Sequence, residues 1–118
     1  MNPPLQIQQI KEYTVVEFRT ASLMDPIELE RIGKSIYRLV EEEDRRKILL
    51  DFERVTFISS QAIGIVMNVR KKLLALPHSK LVLCGVGPRI MEVLKLVGLL
   101  KVLTIRPSQH EAINVVAA

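Results

Sequence analysis

Aromatic residues are scarce in this chain, at 4% with no Trp. Proteins that read single strands or RNA stack bases on aromatic side chains, so this composition argues against direct nucleic-acid recognition. Cysteine is nearly absent. The lone Cys84 can form no intrachain disulfide, and its setting, Leu81-Val82-Leu83-Cys84, reads as a strand interior holding an inert core thiol. Only two histidines occur, His78 and His110, and neither has a ligand-like spacing to Cys84 or to a carboxylate pair, so no metal and no other cofactor is expected. No apolar run approaches the roughly 18 residues that a membrane span requires. The start, Met1-Asn2-Pro3-Pro4, lacks the basic and apolar regions of a secretory leader, so a cytoplasmic protein without membrane attachment is expected. Gly85-Val86-Gly87-Pro88 is a turn and not a phosphate loop, because no Gly-Lys-Ser/Thr follows. With no nucleophile in readable spacing to a histidine or acid, the chain is not expected to be an enzyme.

What remains is an aliphatic globule. At 118 residues, with 48% hydrophobic and 25% charged residues, the chain suits one domain over residues 1–118. Its net charge of +4 is spread over Arg19, Arg45-Arg46-Lys47, Arg70-Lys71-Lys72 and Arg89 with acids between them, the pattern of a mixed solvated surface.

The stretch from Lys47 to Leu76 organises the rest. Ile48-Leu49-Leu50, stopped by Asp51, reads as a strand buried on both faces. Ser59-Ser60 then opens a pattern in which Ala62, Val66, Val69, Leu73 and Leu76 recur at intervals of four and three, the stripe of a helix lying on a sheet. Two hydroxyls therefore stand at a helix N-terminus, where unpaired N–H groups and the dipole favour an anion, and where a serine also serves as a simple cap.

Before that stretch, Leu5 and Ile7, then Val15, Val16 and Phe18, alternate with polar residues around Lys11-Glu12 and predict two short strands. Asp25-Pro26-Ile27-Glu28 is a helix start, and Leu29, Ile32, Ile36 and Leu39 line the buried face of that helix. It should end near the charged run Glu41 to Arg46. After it, Leu76-Pro77-His78-Ser79 breaks the second helix and Leu81 to Cys84 form a strand. Pro88 opens a third helix with Ile90, Val93, Leu94 and Val97 on one face, closed by Gly98-Leu99. Val102, Leu103 and Ile105 predict a last strand, and Ser108 with Glu111 caps a final helix bearing Ala112, Ile113 and Val116. Strands alternating with helices imply an α/β fold with a largely parallel sheet.

In this order, the segment from Ile48 to Gly64, with Leu81 to Val86 and Val93 to Leu99, resembles the STAS domains of bacterial anti-sigma factor antagonists and their stressosome and transporter relatives. The resemblance covers most of the chain. It implies a four- to five-stranded mixed sheet with about four helices, the Ile48 strand central. Against the family's Asp-Ser-Ser/Thr-Gly pattern, Ser59 stands for Asp, Ser60 for the phosphorylated serine, Gln61 for the next hydroxyl and Ala62 for Gly. Ser22 replaces the Gly of an earlier Gly-x-Leu-Asp turn, and Asp25 keeps its acid. The resemblance thus implies a regulatory binding module whose partner is a serine kinase that is also the anti-sigma factor. Ser60 would be the phosphorylation site, with Ser59 the alternative. Asp25, Ser59, Ser60, Gln61, Gly64, Asn68 and Lys72 would form the partner surface, Asn68 and Lys72 pointing outward. A monomer or weak homodimer is expected. The alternative is a scaffold domain of a larger, stressosome-like signalling assembly that works without phosphorylation.

Overall fold

The computed structural model describes residues 4–116, the side chains of Val115 and Val116 excepted. The readings of Met1 to Pro3 and of the Val116 side chain lie outside these described residues. Strands β1 (Leu5–Ile10) and β2 (Tyr13–Phe18) form an antiparallel hairpin that turns at Lys11, whose φ is 53°. Then come β3 (Ser22–Leu23), α1 (Pro26–Glu41), β4 (Lys47–Asp51), β5 (Phe57–Ile58) and α2 (Ser60–Leu74). The chain continues with β6 (Lys80–Cys84), α3 (Pro88–Leu96), β7 (Thr104–Arg106) and α4 (Gln109–Val116).

The main sheet has the order β1-β2-β4-β6-β7, with β4 in the middle and every pairing after the first parallel. Strands at the centre of a sheet covered on both faces must be apolar on both faces. Ile48, Leu49 and Leu50 are accordingly fully buried. Val16, Ile48, Leu50 and Leu83 belong to the larger core, with Leu29, Ile32 and Ile36 of α1 and Val66, Val69 and Leu73 of α2. The opposite face gives a smaller cluster in which Tyr13, Val15, Leu49, Val82 and Cys84 meet Ala112 and Ile113 of α4.

Local chemistry sets the boundaries. An Asp25 carboxylate oxygen accepts the Ile27 N–H at 3.0 Å and Pro26 occupies the first turn, which fixes the start of α1. Beyond α3, Gly98 takes the left-handed φ of 77°, and the Leu99 N–H reaches back to the Leu94 carbonyl at 2.8 Å, as the Gly-Leu pair predicts. Gly85, at φ 66°, is more constrained still. A Cβ there would stand 2.9 Å from the Glu53 backbone.

Three expectations need correction. Leu76 lies past the end of α2, because the Ser79 hydroxyl takes up the Leu73 and Leu76 carbonyls and closes the helix at Leu74. Val97 is the C-cap of α3 and 54% exposed, not part of its buried face. The last strand begins at Thr104, since the Val102 and Leu103 N–H groups both turn back to the Leu99 carbonyl. The two-residue strands β3 and β5, which pair in parallel as a separate small sheet, were not foreseen.

Candidate functional site

The small sheet brings the candidate residues together. Leu23 pairs with Ile58, and the Ser59 N–H donates to the Leu23 carbonyl at 3.0 Å, so the chain enters α2 directly beside the start of α1. The Gln61 side-chain amide spans the gap by donating to the Pro26 carbonyl at 3.2 Å. Asp25, Ser59, Ser60 and Gln61 therefore sit at two adjoining helix N-termini.

The two serines have different roles. Ser59 has extended backbone and its hydroxyl oxygen accepts the Ala62 N–H at 3.3 Å, so Ser59 is the N-cap. Ser60 is the first helical residue. Its side chain is exposed, and no hydrogen bond holds it among the described residues. Ser59 thus supplies the capping oxygen without bringing a charge, and the first turn of α2 carries no acid at all. The end of the helix is left to its own positive pole.

Farther along α2, Gly64 and Asn68 line a groove of about 550 Å³ against Leu29, Gly33 and Tyr37 of α1. A side chain at Gly64 would meet open space. Asn68 and Lys72 are less free than their spacing suggests. The Asn68 amide donates to the Tyr37 hydroxyl at 3.1 Å, while Lys72 pairs with Glu41 and lies 4.9 Å from the Tyr37 ring centroid. Both side chains stitch α2 to α1, and Lys72 stands at the end of the helix away from Ser60.

Several residues at this end escaped the sequence reading. Met24, Ile27 and Phe57 are 51%, 67% and 46% exposed, and the Arg89 guanidinium lies over the Phe57 ring at 4.9 Å. Ile27 carried a signal: it falls off the Leu29-Ile32-Ile36 stripe and so cannot join the core of its own helix.

The platform beneath is tied together by a buried carboxylate. Asp51, 2% exposed, accepts the Glu53 N–H at 2.9 Å and the Gln109 amide at 2.6 Å, fixing the loop that leads from β4 toward α2. Next to it, burial, reinforced by the charge of Asp51, pushes the Cys84 thiol up to about 12. Cys84 is thus a protonated core thiol at neutral pH. Among the described residues no group of three or more His, Cys, Asp or Glu side chains gathers as a metal site, and no helix is long and apolar enough to cross a membrane.

The STAS domain family model matches residues 5–112 of this chain. The chain belongs to the STAS domain family. Among curated proteins, this STAS domain is 31% identical over 71 residues to BtrV of Bordetella bronchiseptica, named as a candidate anti-sigma factor antagonist. That match spans 60% of each protein. Among solved structures it resembles an anti-sigma-factor antagonist (STAS) domain protein from Planctomyces limnophilus, with a TM-score of 0.85 and 23% identity over 97% of both chains. Bacillus SpoIIAA in its phosphorylated form gives a TM-score of 0.74 and 24% identity, over 95% of this chain and 98% of the other. These structural likenesses establish the fold.

Proposed function

We propose that this STAS domain is an anti-sigma factor antagonist-like module that binds a cytoplasmic serine kinase, itself the anti-sigma factor, and is released from it by phosphorylation of Ser60. The observation that carries this reading is the division of labour between the two serines. Ser59 caps α2, which leaves the Ser60 hydroxyl exposed at the helix N-terminus with no structural duty.

A phosphate on Ser60 would add a charge of about −1.5 to −2 where the helix dipole tolerates it, so the fold would survive modification. The partner would not be indifferent. Met24, Ile27 and Phe57 offer it apolar anchors at this end of α2, with Asp25, Ser59 and Gln61 as the polar surround and open space beside Gly64. Seating a partner on that patch would desolvate the phosphate, at a cost of several kcal/mol in order of magnitude unless a cation meets it. Asn68 and Lys72 contribute by holding α2 against α1, which fixes the spacing of the two helix starts. The resemblance to SpoIIAA, a protein whose phosphorylated form has been solved, supports the reading.

The test is to incubate the domain with ATP and candidate serine-kinase anti-sigma factors from the same organism, then map phosphate by mass spectrometry. Phosphate on Ser60 is expected. Phosphate on Ser59, or none from a kinase active on another substrate, would refute the assignment.

A further inference from the structure

The first strand leaves one side of the sheet open. β1 stands at the end of the order β1-β2-β4-β6-β7, with β2 alone beside it among the described strands. Ile10 pairs with Tyr13 across the two-residue turn Lys11-Glu12, which makes them a hydrogen-bonded pair, and such pairs recur at every second residue of an antiparallel ladder. The Arg19 N–H, donating to the Pro4 carbonyl at 2.7 Å, follows the same alternation. The even-numbered residues of β1 therefore turn their backbone groups toward β2. Leu5, Ile7 and Gln9 turn theirs outward, and among the described residues no backbone group meets them there. Natural edge strands are commonly guarded by a charge, a proline or a bulge. Within β1 there is none of these: it reads Leu-Gln-Ile-Gln-Gln-Ile and keeps one-to-one register with β2 throughout. Gln6 to Gln9 are all exposed, Ile7 at 43%.

We propose that this edge is a self-association surface, on which β1 of a second copy pairs antiparallel and extends the sheet. A two-fold axis through Ile7, perpendicular to the sheet, sets Ile7 against its counterpart and Leu5 against Gln9 of the second copy. Every outward N–H and C=O of the strand then pairs, and the residues that meet share a face of the joined sheet. Other axis positions carry one of these groups past the end of the strand. The side chains agree with the backbone. Ile7 shares the face of Val16 and the larger core, so the two exposed Ile7 side chains meet and lose water. On the other face Gln6 meets Gln8 of the second copy, and an amide side chain both donates and accepts. The strand carries no charge, and antiparallel pairing takes the two Lys11 side chains to opposite ends. A loose peptide fits less well than a second copy, because it must be ordered on binding whereas β1 is already held extended by β2. One strand pair is a small interface, so the dimer is weak and concentration-dependent. No residue of this edge belongs to the patch around Ser60, and each surface can be tested without the other.

The experiment follows the full chain from micromolar to millimolar concentration by sedimentation equilibrium and by amide hydrogen exchange read residue by residue. A reversible dimer is expected. Protection should rise with concentration at the Leu5, Ile7 and Gln9 amides and stay unchanged at Gln6, Gln8 and Ile10, which already face β2. Ile7→Lys sets two ammonium groups directly opposite each other and should weaken the dimer about tenfold or more, whereas Gln8→Lys, which meets Gln6, should weaken it less. Both positions are exposed, so both variants should fold. Ile7→Pro is the second variant: it removes an outward N–H without touching the ladder to β2, and should also weaken the dimer. A chain that stays monomeric at millimolar concentration, association that Ile7→Lys and Ile7→Pro leave intact, or protection that rises at the even-numbered residues or around Leu74 would overturn the proposal. So would a peptide of the β1 sequence that protects these amides while the chain does not associate with itself, since the edge would then serve a foreign strand.

Discussion

The two ends of α2 are closed by the same device and present opposite surfaces. At the first end the Ser59 hydroxyl accepts a backbone N–H, and at the second the Ser79 hydroxyl donates to backbone carbonyls. Each serine lies just outside the helix it closes. Beyond the caps the similarity stops. Around Ser60 there are exposed apolar side chains, no acid in the first helical turn and a free hydroxyl. Around Leu74 there are exposed apolar side chains and a set of cations. Capping is therefore a matter of helix stability, common to both ends, while what surrounds the cap differs between them. One end presents an exposed hydroxyl at the positive pole of the helix, the other exposed aliphatic side chains beside basic residues.

The largest effect should come from the buried group that supports the first end alone. Asp51→Ala leaves the Glu53 N–H and the Gln109 amide without their acceptor, and should lower stability by about 2–3 kcal/mol in chemical denaturation. Hydrogen exchange should quicken most in the loop from β4 to α2. Equal quickening around Ser79 would mean that the two ends are not independently supported.

The caps themselves come next. Ser59→Ala and Ser79→Ala should each lower stability by about 1 kcal/mol. Lying at opposite ends of a helix of 15 residues, their effects should add in the double variant. A marked departure from additivity would show that the ends communicate through the helix.

The smallest effect concerns the foot of the sheet. Glu12 pairs with Lys47, which holds the Glu12 carboxyl below its usual range, chiefly through that hydrogen bond, and raises the Lys47 ammonium above its own. The depressed Glu12 value makes its contribution present above the ordinary carboxylate range and lost as pH falls through the folded value. The raised Lys47 value makes its contribution present below the ordinary lysine range and lost as pH rises through the folded value. Glu12→Gln should thus be less stable than wild type only between those limits, and by little, because the pair is solvent-exposed. Denaturation midpoints across a pH series measure this, and a difference that persists in strong acid would contradict it.

Much of this arrangement was legible in the residues. The Ile48-Leu49-Leu50 run gave the central strand, Asp25-Pro26 the start of α1, and Gly98-Leu99 the end of α3, because each depends on contacts within a few residues. Strands β3 and β5 were not legible. Two residues carry no periodicity, and these pair across a separation that only the folded sheet closes. The choice between Ser59 and Ser60 as cap was open for a related reason: both precede the same apolar stripe, and the Leu23 carbonyl that fixes the entry comes from another part of the chain. Asn68 and Lys72 face away from the stripe, and their bonds to Tyr37 and Glu41 depend on how α1 packs beside α2. The group formed by the exposed Leu74 and Val102 and the half-buried Arg106 is assembled from separate parts of the chain and leaves no local pattern in the sequence.

The most direct test of the proposed switch is a calorimetric binding comparison of Ser60→Ala and Ser60→Asp with the proposed kinase partner. Both variants should fold, since alanine at the first helical position leaves the Ser59 cap in place and aspartate suits the helix dipole. Alanine should keep the affinity of the wild type, and aspartate should weaken it about tenfold or more by placing charge within the docked patch. Equal affinity for the two variants would contradict the account, whatever their stabilities.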